Sequence, residues 1–120
     1  TLAGVALDPA TIPCAPAPEA TCSLPLVWRA DGEASVGYHA FVHLVDEAGN
    51  ILAQSDAVPA GWTRPTTGWL PGEYVVDVHT LNLPNALPDG PLTLRVGLYD
   101  PVTGERLSAS GADAVLITLP

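Results

Sequence analysis

The stretch YHAFVHLVD at residues 38–46 decides how the fold is read. Its even positions form one apolar row: Tyr38, Ala40, Val42 and Leu44. A two-residue period is typical of a β-strand with one face against a core. On such a strand His39 and His43 lie about 13 Å apart, at about 3.3 Å per residue. Both imidazoles cannot then ligate one zinc ion, whose ligand atoms lie about 2 Å from the metal. The paired histidines therefore do not predict a metal centre.

The same alternation recurs along the chain, most strictly in LTLRVGLYD at 92–100. Its inward row is Leu92, Leu94, Val96 and Leu98. Further strands are predicted at 1–7, 24–30, 51–56, 73–80 and 114–119, with a short one within 106–110. Thirteen prolines and eleven glycines favour short strands joined by turns, as in DEAGN at 46–50, where Gly49 is expected at positive φ. We therefore predict an all-β fold: an antiparallel β-sandwich, immunoglobulin-like or fibronectin-like, with seven to eight strands in one domain over residues 1–120.

An irregular, proline-rich insert is predicted at 8–23. It contains the two cysteines of the chain, Cys14 and Cys22. We predict that they form a disulfide, which would pin the insert and stabilise the fold by about 2–3 kcal/mol. Such a bond belongs to an oxidising compartment, so it predicts an exported protein, extracellular or at the cell surface. Two buried free thiols are the alternative.

The charge balance restricts the partners. The chain has 13 acidic residues, four arginines and no lysine, for a net charge of −9. Such a surface repels phosphate backbones, which argues against nucleic acid, and it disfavours anionic membranes. No stretch is long and apolar enough to insert directly into a bilayer. Because 48% of residues are hydrophobic and only 14% are charged, we expect a homo-oligomer or contacts with other cell-surface proteins.

Outward rows of three strands supply a candidate binding face. If 38–46, 73–80 and 92–100 are neighbours, these residues share it: Phe41, His43, Asp77, His79, Arg95 and Tyr99. Rings that stack and polar groups that hydrogen-bond suit a glycan. The alternatives are a solvated face with an Arg95–Asp77 ion pair, or a face covered by the loop 57–72. Trp62 in that loop is a further candidate contact, because one exposed ring buries much area at small entropic cost.

Catalytic and metal-binding motifs are weakly supported. The serines lie in no nucleophile-elbow pattern, and the acidic turns lack the spacing of a calcium-binding EF-hand. A glycosidase pair of carboxylates stays open, because sequence does not show how far apart two carboxylates lie. We expect no catalytic residues, no metal and no cofactor, and hence no enzyme.

Three segments resemble a known family: YHAFVHLVDEAGNILAQSD (38–56), RPTTGWLPGEYVVD (64–77) and LRVGLYDPVTGERL (94–107). They resemble a β-sandwich domain of bacterial exported and membrane proteins, which often lies C-terminal to multi-spanning glycosyltransferase-like proteins. The resemblance implies a sandwich fold, an extracytoplasmic location and a structural role for Trp69. It supplies no catalytic residues, since no activity is established for the domain.

The function predicted first is that of a non-catalytic extracytoplasmic β-sandwich with a structural or self-assembling role at the cell surface, such as a filament or surface-layer subunit. The alternative is a carbohydrate-binding module. It would act through Trp62 and the face that carries the aromatic and histidine side chains.

Overall fold

The computed structural model describes residues 3–6, 19, 21–107 and 115–118. The strands are β1 (Ala3–Ala6), β2 (Thr21–Ala30), β3 (His39–Val45), β4 (Ile51–Ala57), β5 (Tyr74–Asn82), β6 (Thr93–Tyr99), β7 (Arg106–Leu107) and β8 (Val115–Thr118). Among the described residues, the only helical element is a 3-10 turn at Thr66–Gly68. The prediction of an all-β chain is confirmed.

The strands form two antiparallel sheets. The smaller sheet has the order β1-β2-β5, and the larger has the order β4-β3-β6, with β7 and β8 both paired to β6. Inward side chains of both sheets meet in one hydrophobic cluster, which includes Leu24 and Trp28 of β2, Val42 of β3 and Leu98 of β6. Each of these four side chains is completely buried.

The strands β3 and β6 form the centre of the larger sheet, and their even positions face inward as the alternation predicts. Val42 lies opposite Val96, and Leu44 lies opposite Leu94, in the antiparallel register. All four side chains are buried in the core. Their odd-numbered neighbours therefore point to the outer face of this sheet.

The hairpin between β3 and β4 fixes the register of the edge strand. The Asp46 carboxylate accepts hydrogen bonds from the backbone N–H groups of Ala48, at 3.0 Å, and Asn50, at 2.8 Å. Gly49 has a φ of 87°, so the prediction of a positive φ at this position is confirmed. The turn brings Asp56 of β4 opposite Phe41 of β3.

The strand β5 departs from the prediction in both position and orientation. It pairs with β2 in the smaller sheet rather than with β3 or β6. Its odd-numbered residues Asp77 and His79 face inward and are buried, while Val76 and Val78 are exposed. The expectation that Asp77 and His79 share an outer face with Phe41 is therefore wrong.

The predicted proline-rich insert lies mostly outside the described residues, and so does Cys14. Residues 21–23, predicted to be irregular, instead begin β2. Cys22 is buried on this strand at the edge of the core. The disulfide between the two cysteines stays a prediction.

Candidate functional site

The outer face of the larger sheet gathers a continuous row of rings and charges. His39 of β3 lies opposite Tyr99 of β6, and His43 lies opposite Arg95. We define the outer aromatic face by eight residues: His39, Phe41, His43, Asp56, Trp62, Arg95, Tyr99 and Arg106. They come from β3, β4, β6, β7 and the loop after β4.

The rings of this face touch one another in sequence. The Trp62 and His39 ring centroids lie 5.3 Å apart at an interplanar angle of 84°, so the contact is edge-to-face. His39 makes a similar contact with Tyr99 at 5.6 Å. Phe41 then lies 6.1 Å from Tyr99 and 5.0 Å from His43. The two contacts of His39 are edge-to-face, a favourable geometry for aromatic pairs, whereas the two contacts of Phe41 are tilted, at 52° and 41°.

The Phe41 side chain supports the face rather than forming its surface. It is only 2% exposed although it lies on the outer side of the sheet. The guanidinium carbon of Arg106 lies 4.7 Å from the centre of its ring, within the range of a cation–π contact. The surface presented to solvent at this point is therefore the exposed Arg106 guanidinium.

His43 is the most unusual polar group of the face. Both ring nitrogens are buried, and neither makes a hydrogen bond to another of the described residues. Its Nε2 lies 3.4 Å from Asp56 Oδ1, but this approach lacks hydrogen-bond geometry, and we treat it as an electrostatic contact. Burial lowers the pKa of His43; Asp56 opposes that shift, and the charges of Arg106 and Arg95 add to it. The ring is therefore neutral at pH 7 and offers one donor and one acceptor.

A cavity of about 210 Å³ opens beside this histidine. It is lined by Phe41, His43, Asp56, Tyr99, Gly104 and Arg106. Pockets that enclose a drug-sized ligand occupy roughly 300–1,000 Å³, so this one accommodates a single ring or substituent. Burial, the charge of Asp56 and a hydrogen bond to Asp56 together raise the pKa of Tyr99. The phenol therefore stays protonated near neutral pH.

Trp62 stands at one end of the row on an unusual backbone. It is 62% exposed, and its φ of 71° follows φ values of 58° at Ala60 and 62° at Gly61. Its N–H donates to the carbonyl of Val58 at 3.0 Å, and the Ala60 N–H donates to Asp77 Oδ1 at 2.9 Å. A left-handed residue other than glycine costs about 1–2 kcal/mol. Strain of this kind, held in place by tertiary contacts, is a feature of functional sites.

The rest of the loop is anchored away from the face. Thr66 is buried; its Oγ1 accepts from the Tyr38 N–H at 2.9 Å and donates to the Val36 carbonyl at 2.8 Å. Trp69 is 1% exposed and its indole N–H donates to the Arg64 carbonyl. Trp62 supplies the ring contact between this loop and the outer aromatic face.

A buried polar network lies between the two sheets. The Asp77 carboxylate accepts from Trp28 Nε1 at 3.0 Å and from His79 Nε2 at 2.7 Å. His79 Nδ1 lies 2.9 Å from Ser55 Oγ. Burial alone raises the pKa of Asp77, but the hydrogen bond and charge of His79, with the Trp28 and Ala60 donors, lower it overall. The carboxylate is therefore ionised at pH 7.

The network contains the residue types of a hydrolase triad, but its environment is that of a structural link. Asp77 and His79 are 1% and 2% exposed. One Asp77 oxygen is also shared with Trp28, and the other holds Ala60. Since Ser55 lies on β4 and His79 on β5, the network joins one edge of the larger sheet to an edge of the smaller one.

The structure brings together most of the predicted candidates. Phe41, His43, Arg95 and Tyr99 share one face, and Trp62 reaches it through His39. His79 lies in the buried network instead, because its Nε2 pairs with Asp77. Asp77 therefore pairs with His79 and not with Arg95. The Arg95–Asp77 ion pair, considered as an alternative in the sequence analysis, is wrong.

Three members of the face were absent from the predicted set: His39, Asp56 and Arg106. His39 shares the strand parity of Phe41, and Asp56 follows from the hairpin register; both signals are visible in the sequence. Arg106 lies on a two-residue strand beside Tyr99, which alternation does not detect.

Within the described residues, no group of three or more histidine, cysteine, aspartate or glutamate side chains is placed to hold a metal ion. No helix in that part is long and apolar enough to cross a membrane.

Fold and site together define a two-sheet β protein with an arginine-bearing aromatic face. Comparison of the chain with protein-family models, with curated proteins and with solved structures finds no match.

Proposed function

We propose that the protein is a non-catalytic extracytoplasmic module that binds carbohydrate on the outer aromatic face. The observation that carries the proposal is Trp62, a 62% exposed indole on left-handed backbone, packed edge-on against His39. A sugar ring has apolar C–H faces and polar hydroxyls. A site for it therefore combines an exposed ring with hydrogen-bonding groups, and Asp56 and Tyr99 are such groups beside the cavity.

The proposal takes the two sheets as a sandwich of immunoglobulin-like or fibronectin-like form, as the sequence predicts. The shared core of β2, β3, β5 and β6 supports this arrangement. The exported location is supported by the resemblance to domains of bacterial exported and membrane proteins, and by the predicted Cys14–Cys22 pair.

Tryptophan fluorescence tests the proposal directly. Trp28 and Trp69 are 0% and 1% exposed, so a ligand on the surface changes chiefly the Trp62 emission. We expect titration with a panel of soluble polysaccharides to shift and quench this emission for at least one of them. Isothermal calorimetry should give the same affinity.

Two variants separate binding from nonspecific adsorption. Trp62→Ala should abolish the calorimetric signal, whereas Tyr74→Ala should retain it, because Tyr74 is equally exposed, at 63%, but belongs to the smaller sheet. The proposal fails if no polysaccharide in the panel binds, or if Trp62→Ala binds as tightly as the wild type.

A second candidate function, self-assembly, is favoured by the outer face of the smaller sheet. Tyr74, Val76 and Val78 are 63%, 61% and 54% exposed along β5. Pro25 and Val27 of β2 lie opposite Val78 and Val76. A contiguous apolar patch on a sheet is typical of a protein contact, and the partner of this hypothesis is a second copy of the chain.

Sedimentation and electron microscopy test the self-assembly hypothesis. A wild-type oligomer or filament that becomes monomeric on Val76→Asp, but not on Trp62→Ala, would support it. A protein that stays monomeric at millimolar concentration would refute it. The outcome does not bear on sugar binding, because the two surfaces lie on different sheets.

A further inference from the structure

The arginines of this chain are divided between two environments. Arg29 contacts Asp31 at 2.7 Å, and Arg64 pairs with Glu73. The other two, Arg95 and Arg106, make no ion pair with any carboxylate of the described residues. The sequence has 13 acidic residues for four arginines, so a shortage of carboxylates does not explain why Arg95 and Arg106 lack an ion pair.

Both unpaired arginines lie on the outer aromatic face. Arg95 is half-buried directly across from His43, and Arg106 is exposed and lines the cavity. Their charges both act on the His43 ring, whose nitrogens have no hydrogen-bond partner in the part of the chain that the structure describes. A protein of net charge −9 thus has a local positive site beside unsatisfied polar atoms.

The Arg106 side chain is held in position before any ligand arrives. Its guanidinium lies over the Phe41 ring at 4.7 Å, which limits its rotation, and no carboxylate of the described residues forms an ion pair with it. A planar guanidinium fork matches the two oxygens of a carboxylate in a bidentate pair. Asp56 also lines this cavity, and its carboxylate suits hydroxyl donors rather than a second acid.

We propose that the ligand of this face is an acidic polysaccharide whose uronic-acid carboxylate pairs with Arg106. Arg95 adds a second positive charge, Asp56 accepts from hydroxyls, and Trp62 stacks on a neighbouring sugar ring. The inference rests on the proposed carbohydrate-binding function and deepens it, because it names the class of sugar.

The test compares acidic polymers with their neutral counterparts. Polygalacturonate, alginate and hyaluronan are each titrated beside the same polymer after methyl esterification, which keeps the sugar chain and removes the charge. Measurements are made at 0.15 M salt, where the screening length is about 8 Å, so that distant repulsion is suppressed and the contact pair is not. At least one acidic polymer should bind about tenfold or more tightly than its ester.

Arginine variants locate the effect. Arg106→Gln should reduce the affinity for the acidic polymer about tenfold and leave the weak affinity for the ester unchanged. Arg106→Lys should fall between the two, because lysine keeps the charge without the fork. Arg29→Gln, which removes a paired arginine of the smaller sheet, should bind as the wild type does. Circular dichroism and thermal melting confirm that each variant is folded.

Each outcome has a distinct meaning. Esters that bind as tightly as acids would overturn this inference and leave the carbohydrate-binding function standing. Binding of no polymer, acidic or neutral, would overturn both. Preference for acids that survives Arg106→Gln would overturn the assignment of this arginine. Equal binding of polyglutamate, unaffected by Trp62→Ala, would show a site for protein carboxylates and overturn the sugar.

Discussion

Replacement of Asp77 by asparagine should destabilise the fold severely without a change of volume. Three donors converge on this carboxylate: Trp28 Nε1, His79 Nε2 and the Ala60 N–H. Asparagine has one acceptor oxygen and places an NH₂ group against at least one of these donors. Asp77 is 1% exposed, so water cannot replace the lost acceptor.

The expected loss follows from the number of bonds. Hydrogen bonds to a charged group contribute about 1.5–3 kcal/mol each, and removing one partner of a buried charged pair costs about 3–5 kcal/mol. We expect Asp77→Asn to lower the free energy of unfolding by about 3–5 kcal/mol. That is a fifth or more of the roughly 5–15 kcal/mol typical of a domain. At a urea slope of about 2 kcal/mol per molar, the midpoint falls by roughly 2 M.

Equilibrium unfolding in urea, followed by circular dichroism, measures this loss. Asp56→Asn is the matched control, because Asp56 is an exposed aspartate on β4; it should change the free energy of unfolding by less than about 1 kcal/mol. In a Trp28→Phe background, Asp77→Asn should cost less, with a coupling of about 1–3 kcal/mol. A loss below about 1 kcal/mol, or equal losses for Asp77→Asn and Asp56→Asn, would refute the reasoning.

The pH dependence supplies an independent check. The pKa of Asp77 is lower in the folded protein than its ordinary value, so the unfolded chain binds this proton more readily. The contribution of Asp77 to stability is present above about pH 4–5 and is lost as the pH falls through its folded pKa. Asp77→Asn should therefore show a flatter decline of stability in acid than the wild type.

Three further perturbations test other parts of the structure by the same urea assay. Thr66→Val removes the buried hydroxyl that accepts from the Tyr38 N–H and should cost about 2–3 kcal/mol; a neutral result would mean that the loop is anchored elsewhere. Gly49→Ala places a side chain at a φ of 87° and should cost about 1 kcal/mol; a gain in stability would contradict the turn geometry. Because burial lowers the pKa of His43 and Asp56 only partly opposes this, stability should decline as the pH falls below about 6.5. His43→Gln should flatten that part of the profile, and an unchanged slope would count against a buried neutral ring.

The centre of the larger sheet could be predicted from the sequence because local pattern and global packing agree there. In β3 and β6 every even position is apolar and every one is buried between Ala40 and Leu44 and between Leu94 and Leu98. The turn was predictable too, since Gly49 needs a conformation that glycine readily adopts. The outer positions of Phe41 and Tyr99 follow from the same alternation.

The orientation of β5 was not predictable, because its pattern is ambiguous and a distant contact decides it. Valines lie on both of its rows, so alternation favours burying Val76 and Val78 over Asp77 and His79. In the structure Asp77 and His79 are buried and the two valines are exposed. Asp77 can be buried because it accepts a hydrogen bond from Trp28, 49 residues away in the sequence. A hydrogen bond between residues so far apart in the sequence does not alter the two-residue alternation within either strand, so the alternation cannot predict it.

The candidate site was predictable to the extent that it follows strand parity. His43 and Arg95 share the outer side because both strands alternate regularly. The position of Arg106 depends on the pairing of a two-residue strand with β6, and that of Trp62 on a left-handed turn held by Asp77. Both positions depend on tertiary contacts, which the local alternation of the sequence does not predict.

The pairing of β2 with β5 has a consequence for the speed of folding. The hairpin of β3 and β4 joins neighbours in the chain, such as Leu44 and Ala53, and can close within about 1–10 μs. By contrast, Leu24 of β2 pairs with His79 of β5, and the β3–β4 hairpin lies between these two residues in the sequence. Proteins dominated by such distant pairings fold in roughly milliseconds to seconds. Until β2 and β5 pair, the apolar side chains of β2 are exposed to solvent. The unfolded chain is most prone to aggregate during that interval.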